Sequence, residues 1–194
     1  MVSSPKKAPA FRIILVSGSM DDSVHDVVRQ IRRLRPKYGL VPIVTTRPAA
    51  DDDPPGLYRC DVSPGEFAQR EANNQFIWSE TRDRARYGLT TYALREAYND
   101  PQPAITIVDP EQAQAFKRHF GPDQLKSFFL LPPPQDELVG LLSRTAATET
   151  DLERAVQRCR RKSNKASYCG IPYNFINYSA KPEDMARQAL EQLR

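Results

Sequence analysis

Apolar residues along this chain fall into short, nearly continuous runs separated by stretches with helical spacing. The first run, Phe11-Arg-Ile-Ile-Leu-Val-Ser17, suits a parallel strand buried on both faces, and Gly18 ends it. From Ser23 to Leu34 the apolar positions are Val24, Val27, Val28, Ile31 and Leu34, which predicts an amphipathic helix. Leu40 to Val44 predicts a second strand, weakened by Pro42, and the acidic, proline-rich stretch from Arg47 to Pro55 predicts irregular chain. Ser63-Pro-Gly-Glu66 has the form of a capping box, which predicts a helix running towards Asn73, with a strand from Gln75 to Trp78 after it. Beyond it the pattern predicts a helix over Thr91–Ala97, a strand over Ala104–Asp109, a helix over Glu111–Arg118 and a strand over Ser127–Leu131. Helices over Gln135–Ser143 and Thr150–Lys162, a short strand over Phe175–Asn177 and a helix over Pro182–Leu193 complete the series. Strands alternating with helices predict an α/β fold whose mostly parallel sheet is flanked by helices.

The length, 194 residues with 40% hydrophobic, suits one domain carrying a small lid. Residues 1–10 are expected to form a disordered leader and 11–194 the domain. A formal net charge of +4 is too small to argue for nucleic acid. Basic residues do gather at Arg158, Arg160, Arg161, Lys162 and Lys165, whose plainest reading is a solvated helix end or lid. Any RNA contact would run through this segment near Arg160. Cys60, Cys159 and Cys169 lack metal-ligand spacing and the only histidines are His25 and His119, so neither a metal site nor a cofactor is expected. No apolar run approaches the roughly twenty residues that span a bilayer, and the first residues carry no signal core, so a cytoplasmic location is expected.

The chemistry-bearing residues follow an order of their own. Gly18-Ser-Met-Asp-Asp-Ser-Val-His-Asp26 stands where a phosphate-binding loop would join first strand to first helix. After it come Thr45-Thr-Arg-Pro48, Gly56, Val62-Ser63 with Phe67, Phe76-Ile77, Tyr87-Gly88, Asp109, Pro132-Pro133 and Asn177. In this order, from about Arg12 to Leu193, they resemble the guanylate kinases. The resemblance implies a P-loop kinase architecture with an acceptor-binding subdomain over about 43–90 and a lid over about 144–165.

A working P-loop needs glycines to expose backbone N–H groups, a lysine for the β- and γ-phosphates and a Ser or Thr for magnesium. Aligned on Gly18, the second glycine becomes Ser23, the lysine Val24 and the hydroxyl His25. Asp21 and Asp22 add negative charge in the turn, which predicts repulsion of a triphosphate and no ATP binding. His25 is expected to be a surface residue at the helix end.

For the acceptor pocket, the resemblance implies that Arg47 and Tyr87 hold a phosphate, helped by Arg59 or, with a one-residue slip, Tyr58. Asp109 keeps the family's aspartate, while the second arginine falls on Ala50 and the guanine-reading glutamate on Trp78, two positions from Glu80. Arg47 could equally pair with Asp51 to Asp53, and Asp109 could cap the following helix. The function expected on these grounds is a catalytically inactive binding module similar to the guanylate-kinase-like domains of membrane-associated guanylate kinase scaffolds. Arg47, Tyr87 and Arg59 would receive a phosphorylated or acidic protein ligand, with weak GMP binding possible. The alternatives are a nucleoside-monophosphate kinase with a cryptic ATP site and a structural subunit of a larger assembly.

Overall fold

The computed structural model describes residues 11–121 and 123–193; the expected leader lies outside them. Strand β1 (Ile13–Gly18) leads into helix α1 (Asp21–Leu34), then strands β2 (Gly39–Leu40), β3 (Ile43–Thr45) and β4 (Tyr58–Arg59). Helix α2 (Pro64–Ala72), the hairpin of β5 (Phe76–Arg82) and β6 (Ala85–Thr90), and helix α3 (Thr91–Asn99) follow. Next come β7 (Ala104–Ile107), α4 (Pro110–Phe116), β8 (Leu125–Leu130), α5 (Gln135–Leu142) and α6 (Glu149–Tyr168). Strand β9 (Asn174–Ile176) and helix α7 (Pro182–Glu191) close the described chain.

Two sheets result. One has five parallel strands in the order β2-β7-β1-β8-β9, and the other has four in the order β4-β3-β6-β5. In the smaller sheet β6 runs antiparallel to both neighbours, while β3 and β4 are parallel. Every residue of β1 is buried, as its unbroken apolar run requires. Ile14 and Val16 pack with α1 and α7, while Ile13 and Leu15 pack with Leu94, Phe116 and Ala166 of the opposite helical layer. Among the described residues no helix is long and apolar enough to cross a membrane.

The structure departs from the sequence pattern at several elements, among them β5, which runs on to Arg82 and not only to Trp78. The strand expected over Leu40–Val44 breaks at Pro42, and there the chain leaves the five-stranded sheet for the four-stranded one. Proline cannot donate to a ladder, so the residue that weakened the strand marks the crossing. Strands β4 and β6 were not expected. The β5–β6 turn uses Asp83 and Arg84, both left-handed at φ 49° and 65°, where the hairpin signal would be Asn-Gly. Helix α1 begins at Asp21 and not Ser23, and α6 continues past Lys162 to Tyr168. Ser63 and Glu66 form the expected capping box.

Candidate functional site

The turn between β1 and α1 holds only Ser19 and Met20, because α1 starts at Asp21. Val24, at the position of a P-loop lysine, is 2% exposed and packs so tightly over Gly18 that a Cβ there would lie 2.6 Å from its Cγ2. The lysine position is therefore part of the core. No side chain caps α1, although Asp21 and Asp22 lie in its first turn.

Sequence counted only carboxylates here; the fold adds two cations. Lys162 reaches across from α6, with Nζ 2.7 Å from an Asp21 oxygen and 2.9 Å from an oxygen of Asp109, which stands just before α4. It is 7% exposed, so the expectation of a solvated residue in a basic cluster is corrected at this position. On a helix the spacing of Cys159, Lys162 and Ala166 puts all three on the buried stripe, which was the available signal. Arg82 approaches Asp21 from β5 at 3.6 Å. Burial works against the Asp21 carboxylate, but Lys162, then Arg82 and His25, outweigh it and hold its pKa below the ordinary value. Burial likewise opposes the Lys162 charge, and Asp21 with Asp109 reverses that and raises its pKa. Asp22 stays exposed.

Facing this turn, the four-stranded sheet closes a cleft of about 50 Å³. Residues two apart on a strand share a face, and Trp78, Glu80 and Arg82 of β5 all line it. Tyr58, Tyr87 and Asp109 line it as well, with Ile43, Ile107 and Gln112 beneath. The Arg82 guanidinium lies 5.0 Å from the Tyr87 ring centre. His25 is half-buried and shares a hydrogen bond of 2.8 Å with the Tyr58 hydroxyl, which corrects the expectation of a surface histidine. Burial pushes the Tyr58 hydroxyl up to about 12 and pulls His25 down.

The Thr45-Thr46-Arg47-Pro48 segment is built to position its arginine. The Arg86 N–H donates to the Thr46 hydroxyl at 3.0 Å and the Arg47 N–H to the Thr45 hydroxyl at 3.2 Å, tying the segment to β6. The Arg47 fork then grips Asp53 through two bonds of 2.9 and 2.5 Å and stacks over the Tyr58 ring at 4.6 Å. The pairing with the Asp51–Asp53 stretch is thus present, and hydrogen bonding to Asp53 raises the Arg47 pKa. Of the two candidates on β4, Tyr58 enters the cleft. Arg59 points the other way, half-exposed and 3.8 Å from Asp61, and does not join the site. Asp109 is the N-cap of α4, as the alternative reading expected, with its N–H donating to Gln112 Oε1 at 2.9 Å, and its carboxylate also meets Lys162.

No family model matches the chain. A solved structure of the guanylate kinase from Anaplasma phagocytophilum superposes with a TM-score of 0.63 at 20% identity, covering 97% of this chain and 86% of that one. The fold is that of guanylate kinases. In sequence, the chain is 29% identical over 148 residues to a guanylate kinase of Thermobifida fusca, covering 76% of this chain and 72% of that protein. It is 26% identical over 168 residues to a guanylate kinase of Bdellovibrio bacteriovorus, covering 86% and 88%. These likenesses overturn the expectation of an inactive protein-binding module. The proteins that share this chain's sequence and fold carry the name of an enzyme, and none of the findings supports a non-catalytic relative. That expectation rested on the loss of the loop lysine and on the aspartates of the turn, and it did not include Lys162 and Arg82, which the fold brings beside Asp21.

Proposed function

We propose that this chain is a nucleoside-monophosphate kinase of the guanylate-kinase type. Similarity to guanylate kinases over most of its length supports the assignment. The observation that carries it is the meeting, in one cleft, of Tyr58, Tyr87 and Arg82 from the smaller sheet with Asp21 and Asp109 from the larger body, both of which pair with Lys162 of α6. The acceptor phosphate lies against Tyr58 and Tyr87, with Arg47 turning its fork from Asp53 to the phosphate oxygens. One of those oxygens attacks the terminal phosphorus of the donor. Its bond to the bridging oxygen breaks, and the nucleoside diphosphate leaves with the electron pair. A divalent cation would arrive on the donor's own phosphates, since among the described residues no three His, Cys, Asp or Glu side chains could hold one.

The cleft as it stands is too small for a nucleotide, so entry requires the sheets to part. Glu80 and Gln112 are the polar groups beside Trp78 and Ile43 that can contact a base. The test is ADP formation from ATP with GMP, dGMP and AMP as acceptors. The expected result is turnover that Arg47→Ala lowers by about a hundredfold or more, in line with the loss of a charge clamp on the transition state. Absence of ADP formation with every acceptor at saturating ATP overturns the assignment.

A further inference from the structure

We propose that Lys162 supplies, from α6, the cation that the β1–α1 turn lacks, and that this turn with Lys162 binds the β- and γ-phosphates of a nucleoside triphosphate. The proposal rests on the kinase reading above and adds a residue that lies far outside the loop in sequence.

Three observations converge on the turn. First, the leading N–H groups of a helix have no intrahelical acceptor, and no side chain caps α1 at Met20, so no side-chain oxygen competes with an anion for its N-terminal dipole end. Second, Ser19, in the turn itself, is 4% exposed and its hydroxyl has no hydrogen-bond partner. A hydroxyl kept dry and unpaired costs stability unless a ligand supplies its partner. Third, the Lys162 ammonium sits at the same helix end. Of its three N–H donors, Asp21 and Asp109 take two, which leaves the third for a phosphate oxygen.

The acidic residues fit this arrangement. Asp109 aims Lys162 at the turn, and Asp21 holds it there when no phosphate is present. When phosphate arrives, Lys162 shifts from Asp21 towards it, and Asp21 retains Arg82 as its counter-ion. Asp21 is therefore a competitor for the cation. A loop lysine in the usual position could not do this work, because Val24 fills that place in the core.

The test is calorimetric titration of the whole chain with ATP, inorganic tripolyphosphate and GMP. The proposal predicts that Lys162→Met loses tenfold or more in affinity for ATP and tripolyphosphate with GMP affinity unchanged, and that Lys162→Arg recovers most of the loss. It also predicts that Asp21→Asn binds tripolyphosphate more tightly than the natural chain. A purely structural role would weaken GMP and triphosphate together and would make Asp21→Asn bind no better. Unchanged ATP affinity in Lys162→Met overturns the proposal. Should Lys162→Met not fold, equal or weaker tripolyphosphate binding by Asp21→Asn overturns it instead. ADP formation that persists undiminished in Lys162→Met removes this inference and leaves the kinase reading standing. Lys162-dependent triphosphate binding without any ADP formation removes the kinase reading and leaves this one.

Discussion

His25 and Tyr58 meet across the gap between the two sheets, with the rings edge-on at 5.7 Å and their polar atoms 2.8 Å apart. Burial disfavours the imidazolium, and Arg29 adds to this against the pull of Asp21 and Asp22, so the folded pKa of His25 is below its ordinary value. In the unfolded chain the ring takes up its proton near about pH 6.5. Between that pH and the lower folded pKa the unfolded state binds more protons, so stability falls as pH drops through this window. Asp21 acts in a lower range. Its depressed pKa gives stability that is complete above the ordinary carboxylate value of about 3.9 and is lost as pH falls below it. Thermal melts from about pH 7.5 down to about pH 4.5 should show a decline that starts near about pH 6.5, and His25→Asn should remove that early part. A second residue-scale prediction concerns Arg47, whose fork is occupied by Asp53. Asp53→Asn should tighten acceptor binding by roughly three- to fivefold, as expected for weakening a partly exposed ion pair of about 1 kcal/mol. Calorimetry with GMP measures it; looser binding would mean that Asp53 organises the loop for the ligand.

At the scale of elements, the β5–β6 hairpin is the part least visible in sequence and most needed by the site, since it carries Trp78, Glu80, Arg82 and Tyr87. Its turn places Arg84 at φ 65°, a conformation that costs a side-chain-bearing residue about 1–2 kcal/mol. Arg84→Gly should therefore stabilise the protein by about 0.5–1 kcal/mol in chemical denaturation, part of the relief being returned as entropy of the unfolded glycine. The opposite holds on β6. A Cβ on Gly88 would stand 2.7 Å from the Phe76 ring and 3.1 Å from the Trp78 carbonyl. Gly88→Ala should cost about 1–3 kcal/mol, the usual penalty of overpacking, and should displace Trp78 in the cleft. An unchanged denaturation midpoint would show that the strand yields more easily than its packing implies.

Across the whole molecule, the larger sheet is the centre of both major apolar clusters; the smaller sheet joins one of them through Leu89 of β6 and otherwise packs, among the described residues, in two minor clusters around Ile43 and Tyr87 and around Val44 and Phe67. On the proposed kinase reading, the smaller sheet, which would part from the larger one to admit a nucleotide, is the less deeply rooted of the two, as low-stability units used in closure are. Amide hydrogen exchange should be faster in β3 and β6 than in β1 and β8, and a bound nucleotide should slow the former pair selectively. Equal protection in the two sheets would contradict this division. The charged groups Asp21, Arg82, Lys162 and Asp109 join α1, β5, α6 and the start of α4 in one cluster, so they clasp the smaller sheet to the larger body.

Chain order and local chemistry by themselves determined the alternation of strands and helices, the buried first strand, the Ser63 capping box and the threonine-arginine segment that presents Arg47. Each of these depends on neighbours within a few residues, which is the range over which periodicity and capping act. Only the tertiary structure decided the electrostatics of the β1–α1 turn. Lys162 lies 141 positions from Asp21, and no local pattern connects them. A helix stripe can announce that a lysine is buried, but which anion it meets depends on where two layers are packed together. Coulombic attraction acts through space, so a turn that reads as purely acidic along the sequence has Asp21 paired with two cations once the fold brings Lys162 and Arg82 to it.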